Sequence, residues 1–279
     1  MNIQSTFTLN HGEKSMPWVG LGVFQVENGE TVAASVEEAI VQGYRHIDTA
    51  AVYENEEGVG EGIRRGMERA GITREQLFIT SKLWNADQGY QRTLEAYQKS
   101  VARLGLDQLD LYLIHWPVEG LFPESWRALE QLFKEGKVGS IGVSNFQIHH
   151  IETLLQTAEI TPAINQVERH PRLVQEDLKQ YLVQKNIQPV AWAPLMQGGI
   201  FSEPVLMEIA ESLGKTVAQI VLKWHLQTGW AVIPKSIKKH RIHENADLYD
   251  FELNNEQVKA IHKMDQHHRV GPDPDHFDF

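Results

Sequence analysis

Residues 109–143 read LDLYLIHWPVEGLFPESWRALEQLFKEGKVGSIGV, and this stretch decides the fold. The apolar run Leu109–Ile114 gives way to a segment of helical period, Glu124–Lys134, then to Gly136, then to a second short apolar run, Ser140–Val143. Runs without polar alternation predict strands covered on both faces, which means parallel pairing, and a helix between two such strands predicts a crossover.

Outward from this unit the pattern repeats in both directions. Strands are predicted at Val19–Leu21, Tyr44–Asp48, Leu77–Ser81, Ala163–Val167, Pro189–Trp192 and Ala231–Ile233, which makes eight with the two above. Helices are predicted at Glu30–Gln42, Asn55–Ala70, Tyr90–Leu104, Gln147–Gln156, Gln175–Gln184, and from Glu203–Leu213 through Val217–Gln227, with Gly43, Gly71 and Gly105 marking ends. Eight repeats of one βα unit favour closure into a (β/α)8 TIM barrel over a doubly wound open sheet, which stays the alternative. Phe7–Asn10 and Met16–Val19, about His11-Gly12, predict a β-hairpin that caps the barrel bottom. No linker rich in Pro, Gly or Ser divides the chain, so residues 1–279 are expected to form a single domain, with Val270–Phe279 as an extended tail.

Composition narrows the function. Apolar residues are 42% and charged residues 23%, the balance of an ordinary globular chain. A net charge of -11 without a basic block argues against a nucleic-acid footprint or a polybasic membrane surface. Without cysteine, no disulfide, thiolate metal site or cysteine nucleophile is available. The start MNIQSTFTLNH has no basic region leading into an apolar core, so the expectation is a cytoplasmic protein, and its short loops and acidic surface favour a monomer. Thirteen histidines suggest a metal, but His149-His150 and His267-His268 lack metal-ligand spacing and read as solvated surface, so none is expected.

In a barrel of this kind the strand C-termini form the active face, so polar residues that close apolar runs carry the information. Asp48, Lys82 and His115 close successive runs about one βα unit apart, which predicts three neighbours on one rim, with Tyr53 just beyond the first. Ser144, Asn145, Gln166, Glu168, Trp192, Lys235 and Ser236 end later runs. Any one of these is more often an ordinary loop or structural residue. Together they form an acid–base group: Lys82 is expected to favour the phenolate of Tyr53, Asp48 to hold Lys82 charged, and His115 to orient a carbonyl oxygen. Such a site delivers a proton to a carbonyl, and since no side chain supplies hydride, a nicotinamide cofactor is implied. Gly58, Gly60 and Gly62 lie within a helical segment at the wrong spacing for a dinucleotide fingerprint, so they receive no phosphate role.

The motifs GYRHIDTAAVYENE, SKLW, DLYLIHWP, IGVSNF and IPKS with RI-x-EN make the chain resemble the aldo-keto reductase family over nearly its whole length. The bacterial branch of glyoxal, methylglyoxal and 2,5-diketo-D-gluconate reductases is the nearest likeness. The resemblance implies a barrel that reduces aldehydes and ketones with NADPH, with Asp48, Tyr53, Lys82 and His115 catalytic and Tyr53 the acid. It further implies that Ser144, Asn145 and Gln166 bind the carboxamide and that Trp192 stacks on the nicotinamide. Leu195 joins the cofactor set, Lys235, Ser236 and Arg241 grip the 2′-phosphate, and Glu244 and Asn245 contact adenine. Phe24, Trp84 and Trp116, with His115, are expected to wall an open, shallow pocket for a small carbonyl. Arg169 and Ala193 depart from the family pattern near the cofactor loops. The competing readings are a sugar-aldehyde or diketogluconate reductase, an aldolase forming a Schiff base on Lys82, and a non-catalytic module that senses NADPH.

Overall fold

The computed structural model describes residues 2–279 and contains one parallel sheet of eight strands. In chain order these are β3 (Leu21–Gly22), β4 (His46–Asp48), β5 (Phe78–Leu83), β6 (Leu109–Ile114), β7 (Val138–Ser144), β8 (Ile164–Glu168), β9 (Gln188–Trp192) and β10 (Ala231–Val232), each beside the next. Parallel bridges Val19↔Val232 and Gly22↔Lys235 join the first strand to the last. Backbone bonds from Gly20 N to Val232 O (2.9 Å) and from Gly22 N to Pro234 O (3.2 Å) close the barrel. A Cβ on Gly22 would stand 2.7 Å from Ile233 O, so closure at this seam requires glycine.

Helices α1 (Glu30–Val41), α2 (Glu56–Ala70), α3 (Tyr90–Leu104), α4 (Phe122–Lys134), α5 (Ile148–Leu155), α6 (Glu176–Gln184), α7 (Pro204–Leu213) and α8 (Val217–Gln227) fall where helical period predicted them. Two more follow the last strand: α9 (Lys239–Ala246) and α10 (Asn255–His262). The α2 glycines serve packing. A Cβ on Gly62 would lie 2.6 Å from Ala33 O of α1, and one on Gly60 would lie 2.2 Å from Leu104 O of α3.

Period-two alternation sorts the strand residues into two cores. Ile79, Leu83, Tyr112, Ile114 and Ile141 face the helices, whereas Phe78, Leu111, Leu113, Ile164 and Val190 fill the barrel interior. Leu9 and Met16 join the interior layer from below. Met16 belongs to, and Leu9 follows, an antiparallel pair, β1 (Thr6–Phe7) with β2 (Met16–Pro17), in the register Thr6↔Pro17 and Phe7↔Met16. The hairpin cap is therefore real but displaced from the expected Phe7–Asn10 and Met16–Val19. Leu9 leaves the ladder to plug the barrel, and Val19 belongs to the barrel seam.

Candidate active site

The alternation that fills the barrel also stacks its polar residues. On β4 it turns His46 and Asp48 to the interior, and on β5 it turns Thr80 and Lys82 the same way. The strands pair Asp48 with Thr80 and His46 with Phe78, so each polar side chain reaches its neighbour diagonally. His46 Nε2 lies 3.1 Å from Thr80 Oγ1, and one layer higher Lys82 Nζ donates to Asp48 Oδ1 at 2.5 Å. Lys82 also donates to Thr49 O (2.9 Å) and to Tyr53 Oη (3.4 Å), while Gln166 Nε2 of β8 donates to Asp48 Oδ2 (2.7 Å). Tyr53 arrives on a 3-10 turn, Ala51–Tyr53, directly after β4. Its ring stands edge-on to His115, at 5.7 Å between centroids. The four side chains predicted to share one rim thus converge.

Electrostatics assign the protons. Burial works against the Lys82 charge, yet Asp48 and Tyr53 outweigh it, and its pKa lies above the ordinary lysine value. Burial and the Lys82 cation hold His115 well below the ordinary histidine value, so its imidazole is neutral near pH 7. For Tyr53 the expected downward pull of Lys82 is present, and burial is the larger effect. Burial pushes the phenol up, and this outweighs the downward pull of Lys82, so Tyr53 keeps its proton rather than resting as phenolate. A protonated phenol beside an ammonium is an acid ready to donate. A lysine held as ammonium is, by the same argument, a poor Schiff-base nucleophile.

The residues expected to hold a nicotinamide cluster beside this centre. Asn145 adopts a left-handed backbone (φ 65) at the end of β7, and its Nδ2 donates to His115 O (3.0 Å) and to Ser144 Oγ (3.2 Å). Trp192 Nε1 donates to Asn145 Oδ1 (2.8 Å), which ties the expected stacking ring to an expected carboxamide ligand. Gln166 spends its amide N–H on Asp48, and its Oε1 accepts no hydrogen bond among the described residues. That oxygen fits a carboxamide N–H. Lys235, ahead of α9, and Arg241, in its first turn, are exposed and make no ion pair among the described residues, which suits a phosphate. Ser236 is largely buried, with its Oγ accepting from Lys238 N (3.1 Å). Glu244 accepts from Thr216 Oγ1 (2.7 Å), Asn245 is buried and Leu195 half-buried, so Glu244 presents more surface to an adenine than Asn245. Ala193 has φ 47, a strained conformation for alanine, in the loop after β9. Arg169 lies buried with its guanidinium 3.7 Å from the Trp224 ring and 4.7 Å from that of Trp230, away from the catalytic group.

Aromatic rings wall the mouth, and the C-terminal tail joins them. Phe24 is 50% exposed and packs on Tyr53 at 5.0 Å, so it is a rim residue rather than core. Trp84 lies edge-on to His115 at 5.5 Å, and Trp116 is buried beside it. The tail does not extend into solvent. Phe279 stacks on Trp84 (5.7 Å, 1° between planes), Phe277 and Phe279 each lie 5.2 Å from Trp116, and Asn85 Nδ2 donates to Phe279 O (2.9 Å). Sequence reading passed over Asn85, Phe277 and Phe279. The signal available was an aromatic pair at the end of an otherwise polar tail.

His149 and His150 also depart from plain solvated surface. His149 is exposed, His150 is mostly buried, and their Nε2 atoms lie 3.3 and 3.7 Å from Asp275 Oδ1 of the tail. His150 Nδ1 accepts from Gln147 N (3.1 Å), which leaves the ring proton on Nε2, the atom a metal would need bare. The cluster is a hydrogen-bonded tail contact.

Among known proteins, residues 19–266 match the Aldo/keto reductase family. The chain is 59% identical over 278 residues to the "Uncharacterized oxidoreductase YtbE" of Bacillus subtilis (strain 168), covering 100% of this chain and 99% of that protein. It is 56% identical over 274 residues to the "Glyoxal reductase" of the same organism, covering 98% of each. The solved structure of a Gox0644 mutant in complex with NADPH matches with a TM-score of 0.93 at 41% identity, over 99% of each chain.

Proposed function

This chain belongs to the aldo/keto reductase family and is an NADP-dependent carbonyl oxidoreductase, and on that premise we propose that it reduces small dicarbonyls, glyoxal or methylglyoxal, with Tyr53 as general acid. It acts as a single-domain monomer. One observation carries the reading: the Tyr53 hydroxyl faces an ammonium that is itself held by a buried carboxylate, at a mouth lined by His115 and aromatic rings.

NADPH, when bound, would supply the hydride to the carbonyl carbon. The chain does the rest. His115, neutral, offers a ring N–H to the carbonyl oxygen and fixes its direction. Tyr53 gives its proton to that oxygen, and the Lys82 ammonium at 3.4 Å stabilises the negative charge left on the phenol. Asp48, with Gln166 on its second oxygen, keeps the ammonium charged and aimed. Ser144, Asn145 and Gln166 would hold the carboxamide, and Trp192 would stack on the nicotinamide. Lys235 and Arg241, assisted by Ser236, grip the 2′-phosphate, as two cations at one anion should. Leu195, Glu244 and Asn245 complete the cofactor set. Phe24, Trp84, His115 and Trp116, with Phe279 at the outer edge of the mouth, would wall a short carbonyl.

The test is NADPH oxidation across glyoxal, methylglyoxal, sugar aldehydes, aromatic aldehydes and 2,5-diketogluconate. The proposal expects the highest kcat/KM on the first two. A maximum on diketogluconate or a sugar would overturn the substrate, and borohydride trapping of substrate on Lys82 without NADPH consumption would overturn the reaction.

A further inference from the structure

Glu168 closes the strand that delivers Gln166, and the chemistry above gives it no part. It is 1% exposed at the end of β8, where alternation turns it inward at the barrel mouth. A carboxylate in that position needs donors, and all of its recorded donors come from outside the reacting group. His170 Nε2 lies 2.9 Å from Glu168 Oε1. Val270 N donates to the same oxygen at 2.6 Å, and Gly271 N donates to Oε2 at 3.2 Å. The two tail amides are thus fastened to the mouth by charge-assisted bonds.

The fastening point also touches the expected nicotinamide shelf. A Cβ on Gly271 would fall 2.4 Å from Trp192 Cη2 and 3.2 Å from Glu168 Oε2, so the tail backbone lies directly against the indole. Glu168 and Trp192 are paired across β8 and β9. Beyond Gly271 the chain turns through the bridge Asp273↔His276 and delivers Phe277 and Phe279 to Trp84 and Trp116. One buried carboxylate therefore sits where the tail, the shelf and the mouth meet.

We propose that Glu168 is a positioning residue that latches the C-terminal tail over the active site, so that preference for short over bulky carbonyls depends on it. The proposal deepens the reductase reading and rests on it for its kinetic consequence, but the latch itself is a property of the folded chain. With the latch intact, Phe279 occupies the outer mouth and a long or ring-bearing aldehyde must displace it. Without it the mouth opens and Trp192 loses its backing.

Three full-length proteins and two shortened chains test this: wild type, Glu168→Gln, Gly271→Ala, and a chain ending at Arg269 with and without Glu168→Gln. Amide hydrogen exchange over residues 270–279 reads the latch without any reaction, and should rise at least about tenfold in Glu168→Gln. The ratio of kcat/KM for methylglyoxal to that for 4-nitrobenzaldehyde reads the consequence. It should fall by about tenfold in Glu168→Gln and Gly271→Ala, to the level of the shortened chain, and adding Glu168→Gln to the shortened chain should change it less than about twofold. Unchanged tail exchange in Glu168→Gln overturns the latch. So does an equal effect of Glu168→Gln with and without the tail, which would place its action in the barrel instead. If Glu168→Gln does not fold, Gly271→Ala decides: its Cβ would press on both Trp192 and Glu168 Oε2, which displaces the tail from the latch while the carboxylate stays, and unchanged exchange over residues 270–279 in that variant overturns the latch. Altered exchange in a protein that reduces no carbonyl would leave the latch standing and refute the reductase reading.

Discussion

The ammonium of Lys82 lies 3.4 Å from the hydroxyl of Tyr53, on the inside of a barrel whose neighbouring strand supplies the carboxylate that holds it. The two residues come from different βα units: alternation turns Asp48 of β4 and Lys82 of β5 inward, and the 3-10 turn that follows β4 brings Tyr53 to them. Both electrostatic partners of the phenol are thereby set by strand register rather than by flexible loops.

Removing the cation tests that arrangement. Lys82→Met strands Asp48 as a buried carboxylate with only Gln166 beside it, which should cost about 3–5 kcal/mol in urea unfolding. The double variant Lys82→Met/Asp48→Asn should recover part of that stability without recovering turnover. Recovery of turnover would separate the charge pair from the chemistry.

Cofactor choice should follow the two exposed cations on either side of the start of α9. Lys235→Ala with Arg241→Ala is expected to raise the KM for NADPH by about tenfold or more, while the KM for NADH moves less than about twofold, because only NADPH carries the 2′-phosphate. Steady-state kinetics with both nucleotides check this. Equal losses would mean that the pair does not read the phosphate.

Acid should unfold the protein partly through His46. Burial lowers its pKa from 6.5 to about 4, so the unfolded chain binds the proton more tightly. The stability is therefore fully present above pH 6.5 and is lost as pH falls toward 4, by about 2 kcal/mol at pH 5 from this residue alone. Denaturant unfolding at pH 7 and pH 5 measures the slope, and a His46→Asn variant should show a shallower one.

The α1–α2 contact predicts a packing penalty. Gly62→Ala places a methyl 2.6 Å from a backbone carbonyl that cannot swing away, and should cost about 1–3 kcal/mol while leaving kcat unchanged. A neutral effect on Tm would show that α1 can shift.

The strand and helix succession was legible because covered parallel strands give unbroken apolar runs, and the clustering of Asp48, Lys82 and His115 followed from equal spacing of those runs. What escaped has a common physical cause. The tail contacts join Asn85 to Phe279 and Glu168 to Val270, pairs far apart in sequence with no periodicity to announce them. The hairpin register escaped because Leu9 is apolar for a reason other than strand pairing: it plugs the barrel. The sign of the Tyr53 shift needed the depth of burial, which residue types alone do not give.

The most direct test of the account is Tyr53→Phe, with NADPH affinity measured by fluorescence titration and methylglyoxal reduction measured on the same preparation. The phenyl ring keeps the packing against Phe24 and His115 and removes only the hydroxyl that carries the proton. The account predicts unchanged NADPH binding and a fall in kcat of about 10²–10⁴-fold. Turnover close to that of the unaltered protein would contradict it.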